Sequence, residues 1–137
     1  MEDKTYNLID SAPIAIVSFN KNGEIDFVNK AFSDLELLYG FEISSSIIGT
    51  SVFDKEIMDL FSIGAELKDI LSGISFEKEF DFVETKSSGL VHLIIKGAPI
   101  FDGDEIIGGI LIFEDLKILE KTKKETAIRN DFLNNAI

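Results

Sequence analysis

A chain of 137 residues is the length of one domain, and 45% hydrophobic content with 12 Phe supplies a single core, which excludes disorder away from the ends. The net charge of −12, with no Lys/Arg cluster interleaved with aromatics, repels phosphate backbones and argues against nucleic-acid binding. Cys is absent, which removes disulfides and thiol chemistry. No apolar run approaches the roughly 20 residues of a membrane span, and MEDKTYNLID has neither region of a signal peptide, so this segment is expected to be cytoplasmic and not membrane-spanning.

In chain order, residues 1–12 read as a short helix or arm that Pro13 closes, since the residue before a proline is pushed to extended backbone. Ile14 to Phe19 and Glu24 to Val28 are short runs rich in Ile, Val and Phe. Between them Asn20-Lys21-Asn22-Gly23 supplies residues that tolerate positive φ, which predicts a hairpin. Asn29 then caps a helix whose apolar spacing starts at Ala31, Phe32 and Leu35. Gly40 and Ser44-Ser45-Ser46 break the period, and Ile47-Ile48-Gly49 leads irregularly to Val52-Phe53. Glu56 to Leu71 reads as a helix with a break at Gly64, ended by Ser72-Gly73.

Three strands follow: Phe76 to Val83, Leu90 to Ile100 and Glu105 to Phe113, joined by turns at Lys86 to Gly89 and Asp102-Gly103-Asp104. Strict alternation puts Val91, Leu93 and Ile95 on the core side with His92 and Lys96 opposite. It turns Gly109, Leu111 and Phe113 inward with Glu114 outward, and Phe27 inward with Asp26 outward. From Asp115 the chain lacks Gly and Pro, which favours one long helix to residue 137. A coiled-coil seam of Leu116, Leu119, Leu133 and Ile137 is interrupted by Lys123, Thr126 and Asn130, which points to dependence on a partner.

LIDSAPIAIVSF, the Asn22-Gly23 turn, VNKAF with Asn29, Ile48-Gly49 ahead of Phe53, Gly97-Ala98-Pro99 with Asp102-Gly103, and Gly108-Gly109 followed by FEDLKILEK occur in an order that resembles a PAS domain. That family is the small sensory module of histidine kinases and related signalling proteins, and the likeness covers about Leu8 to Glu120. It implies an α+β fold with a five-stranded antiparallel sheet. Helices would cover one face around a pocket, and the other face would be open to a flanking helix or a dimer partner. The implied organisation is an arm at 1–12, a sensory domain at 13–114 and a C-terminal signalling helix at 115–137. The family closes its last strand with Asp-Ile-Thr; here Asp115-Leu116-Lys117 stands there, so Asp115 carries over as the signal-relay junction and the Thr role does not.

The implied pocket wall is Val17, Phe27, Phe32, Leu35, Phe53, Leu60, Phe61, Leu93, Ile95, Leu111 and Phe113. The same residues serve as plain core filling, because both roles need apolar atoms in the same places. Haem is not expected, because some PAS relatives hold it through a helical His and the one His here, His92, falls on a strand facing away. Thiol-flavin photochemistry needs a Cys. A lone imidazole without Cys or a second His makes a poor metal site, so no metal is expected, and Asp102-Gly103-Asp104 is explained by its turn rather than by calcium. No phosphate loop or nucleophile motif is present, so no catalytic residue is assigned, and the expected ligand, where there is one, is a small apolar molecule.

Asn130 to Asn135 resembles the approach to a histidine-kinase phosphoacceptor helix, in which Phe-Leu-x-Asn and two residues precede His. Phe132 to Ala136 also parallels Leu8 to Ala12, which would open a second PAS domain. The expectation is therefore a homodimeric input module with a downstream kinase, or a second PAS domain, in the same chain. The alternative is a ligand-free dimerisation module in a tandem array.

Overall fold

The computed structural model describes residues 14–42 and 47–117. Its first hairpin joins β1 (Ala15–Asn20) to β2 (Ile25–Val28). Gly23 takes φ +79 in the turn, and the Asn20 side-chain oxygen accepts the N–H groups of Asn22 and Glu24 at 2.9 and 3.0 Å. The strand pairs are Val17 with Val28, Ser18 with Phe27 and Phe19 with Ile25, which leaves Asp26 as an extra residue in β2. Directly opposed residues share a face, so this bulge sets Phe27 beside Ser18 on the outer face of the sheet. The inward placement of Phe27 read from alternation is thus corrected. One inserted residue inverts the phase beyond it, and Val28 packs against the core instead.

Asn29 ends β2 and caps α1 (Lys30–Leu38) as its sequence context predicts. Its side-chain oxygen accepts N–H groups from Phe32 at 3.0 Å and from Ile16 at 2.9 Å, and its amide donates to the Ile14 carbonyl at 2.7 Å. One buried side chain therefore caps the helix and ties it to β1. A short 3-10 turn (Val52–Asp54) leads to α2 (Glu56–Leu60) and α3 (Gly64–Leu71). The break expected at Gly64 begins earlier, at Phe61, and Ser62 takes φ +53. Phe61 and Ile63 are both buried, and residues two apart cannot share one helix face, so the chain must turn between them.

β3 (Phe76–Glu84), β4 (Leu90–Asp102) and β5 (Glu105–Asp115) complete a five-stranded sheet of order β2-β1-β5-β4-β3, antiparallel throughout. The fold is α+β, with core side chains between the helices and one sheet face. Gly97 and Gly109 lie under α3, where an added Cβ would stand 2.6 Å from Ile70 Cδ1 and 2.5 Å from Ile70 Cγ2 respectively. A Cβ at Gly108 would meet the Phe19 backbone carbonyl, and Ile107 beside it is an extra residue in the pairing with β4, so the Gly108-Gly109 pair marks both a close backbone approach and a bulge. Among the described residues no helix is long and apolar enough to cross a membrane. The arm at 1–12 and the body of the helix predicted from Asp115 onward lie outside the described residues.

Candidate functional site

Eight of the predicted pocket residues converge. Val17 on β1, Phe32 and Leu35 on α1, Phe61 after α2, Leu93 and Ile95 on β4, and Leu111 and Phe113 on β5 are all buried in one cluster. The rings touch in a chain: Phe32 and Phe113 have centroids 5.7 Å apart, Phe61 and Phe113 6.4 Å, and Phe61 and Phe80 5.2 Å. These separations are those of packed, tilted aromatic pairs. Phe53 is half-buried at the margin, where its ring lies over Gly23 so closely that a Cβ there would stand 2.6 Å from Cε2. Leu60 lines an open cleft of about 610 Å³ with Phe41, Glu56, Asp59, Thr85 and Lys86. Phe27, on the outer face, belongs to neither.

Two polar features of the interior escaped the sequence reading. Tyr39, at the C-cap of α1, is fully buried, and its hydroxyl donates to Asp115 Oδ2 at 2.5 Å. The Tyr39 ring also packs on Phe61, at 6.4 Å between centroids. The other Asp115 oxygen accepts the Lys117 N–H at 3.0 Å, so the carboxylate caps the turn by which the chain leaves β5. Burial, and then the Asp115 hydrogen bond, push the Tyr39 hydroxyl far above its usual range, which keeps it a donor. Nothing local in the sequence links residues 76 positions apart.

The second feature is Glu36, 1% exposed on α1, whose Oε2 meets Lys55 Nζ at 2.7 Å while Oε1 has no hydrogen-bond partner among the described residues. Burial raises its carboxyl above the ordinary range, opposed by Lys55. A signal for it existed. Phe32, Leu35, Glu36 and Tyr39 follow the three- and four-residue spacing of one helix face, so Glu36 lies on the apolar stripe.

The site is thus an aromatic interior joined by one buried Tyr–Asp hydrogen bond to the end of the last strand. Among the described residues the buried polar side chains besides Tyr39 are Asn29, Glu36, Thr85 and Asp115. Asn29 caps α1, Glu36 pairs with Lys55, Thr85 bonds its own turn at Gly89 and Ser88, and Asp115 holds Tyr39. Tyr39 thereby ties this interior to Asp115 by a direct hydrogen bond.

The sequence model of a family described as PAS domain matches residues 13–117. The PAS domain of BvgS from Bordetella pertussis is 18% identical, with 90% of this chain and 94% of that chain covered and a TM-score of 0.58. A Vibrio cholerae VqmA dimer solved in the absence of target DNA is 20% identical over 85% of this chain and 52% of that one, with a TM-score of 0.60. VqmA in complex with ligand and DNA is 19% identical over 85% and 51%, with a TM-score of 0.62. This chain spans about half the length of VqmA, and likenesses at such identities speak for the fold alone. No curated protein sequence matches this chain.

Proposed function

The chain belongs to the PAS domain family, and from that premise we propose that it is the input module of a two-component sensor histidine kinase, which takes a small apolar molecule or a partner as its signal. The observation that carries the reading is the Tyr39–Asp115 hydrogen bond, because it ties α1 and the aromatic interior to the residue at which the chain leaves the sheet. A signal that binds two positions of α1 unequally would shift the balance between them, and Asp115 would pass the shift to the chain beyond β5. The likeness of Asn130 to Asn135 to the approach to a phosphoacceptor helix supports the kinase assignment. Ile16, Ile94, Ile110 and Ile112 lie half-buried on the outer side of three adjacent strands, around the Lys96–Glu114 ion pair, which supports a homodimer.

The test is autophosphorylation of the protein that carries this domain together with the residues after Ile137, comparing wild type with Tyr39→Phe. A changed rate supports the relay. An unchanged rate, or a continuation without a phosphoacceptor His, overturns it.

The tight ring contacts favour a second reading, a PAS interaction module that binds no ligand. Native mass spectrometry of the purified chain separates the two: dimer mass with an added small molecule supports the sensor, and bare dimer mass supports the interaction module.

A further inference from the structure

The outer face of the β3–β4 hairpin carries a donor set that neither the fold nor the aromatic interior uses. Phe80 pairs with Leu93 and Val83 with Val91, so Asp81 and Phe82 together oppose His92. Phe82 takes φ +58 and lies 76% exposed, which marks it as the residue that absorbs the bulge. Asp81 therefore stays two residues from Glu79 on the same outer side, and His92 faces both from the neighbouring strand. His92 Nε2 lies 2.6 Å from Glu79 Oε1 and 2.6 Å from Asp81 Oδ1, and the three donor atoms are all within 4.8 Å of one another.

Hydrogen bonding within the trio is short of donors. Nε2 carries at most one hydrogen, which the two carboxylate oxygens 2.6 Å away must share. The remaining charges on this face are engaged elsewhere, since Lys96 Nζ meets Glu114 at 3.2 Å and Glu77 at 3.7 Å. Among the described residues neither Glu79 nor Asp81 pairs with a lysine or an arginine. A cation placed between the three donors satisfies all of them at once.

We propose that Glu79, Asp81 and His92 form a binding site for one divalent first-row transition-metal ion, of the zinc or cobalt class. The imidazole selects these borderline ions over magnesium and calcium, which prefer all-oxygen shells. Bonds of about 2.0–2.2 Å set donor atoms about 3.3 Å apart around a tetrahedral ion, and small side-chain rotations on two paired strands reach that spacing from 2.6 Å. The His92, Glu79 and Asp81 side chains are 43%, 55% and 58% exposed, so the ion has an open route and water completes its shell. Binding would pin the β3 bulge to β4. In the sequence His92 stands alone; the strand register brings the two carboxylates to it.

The test is calorimetric titration of zinc chloride into the full 137-residue chain, expressed without a polyhistidine tag and stripped of metal, for wild type, His92→Gln, Asp81→Asn and Glu77→Gln. The site requires one equivalent bound by wild type and by Glu77→Gln. Affinity should fall by more than about tenfold in His92→Gln and in Asp81→Asn, because even groups that only support a ligand cost that much when removed. Imidazole NMR is an internal check, as the chain has one His: zinc must shift, and cobalt must broaden, the His92 ring signals. Unmoved ring signals, no binding by wild type, or equal binding by His92→Gln overturns the proposal and leaves the trio an ion pair. The NMR result holds for wild type even where a variant fails to fold.

Discussion

At the scale of single residues, the buried polar pairs determine what this interior tolerates. Removing the Tyr39 hydroxyl leaves Asp115 Oδ2 without that donor inside the fold. Tyr39→Phe is therefore expected to cost about 1–3 kcal/mol, read as a lower urea midpoint at unchanged slope. Glu36 predicts a pH effect of definite sign. Its native carboxyl is raised by burial, so between its ordinary value and its native one the folded chain holds a proton that the unfolded chain has released. Its contribution is fully present below the ordinary value and is lost as pH rises through the native one. Glu36→Gln has no such titration. Relative to wild type, the variant's melting temperature should move in the variant's favour as pH rises from the ordinary Glu value of about 4 through the raised native one. Movement in the opposite direction would show that Lys55 outweighs burial.

At the scale of elements, α3 rests on two bare backbone positions. Gly109→Ala brings a Cβ to 2.5 Å from both Ile70 Cγ2 and Phe19 Cζ and is expected to cost about 1–3 kcal/mol by overpacking. Combined with Ile70→Ala, the loss should fall short of the sum of the two single losses, since the second change removes part of the clash. Denaturant unfolding of the four proteins measures that coupling, and strict additivity would place the clash elsewhere.

The same elements show what was legible in the sequence. Alternation placed Leu93, Ile95, Leu111 and Phe113 correctly because β4 and β5 stay in regular register from Leu93 to Ile100. Asn29 was legible because a helix cap is local chemistry. The bulges at Asp26 and at Asp81-Phe82 were not, because an extra residue there has no compositional mark and declares itself only in pairing. Tyr39–Asp115 and Glu36–Lys55 were hidden because each pair joins different elements.

At the scale of the molecule, a domain of net charge −12 associates only where apolar area outweighs repulsion. The isoleucine face of β1, β4 and β5 is the surface on which a dimer would do so. Ile112→Glu is expected to shift sedimentation toward the monomer, while the circular dichroism spectrum is retained. A dimer that survives the change must form through another surface. The strand order also has a consequence for synthesis. β1 receives its second partner only from β5, with Ala15 opposite Phe113 and Asn20 opposite Gly108. On a translating ribosome the first hairpin therefore waits with one edge unpaired until nearly the whole domain has emerged, and it closes in a late, long-range step. A nascent chain stalled before Glu105 would present that edge to chaperones, or to the same edge of a neighbouring nascent copy.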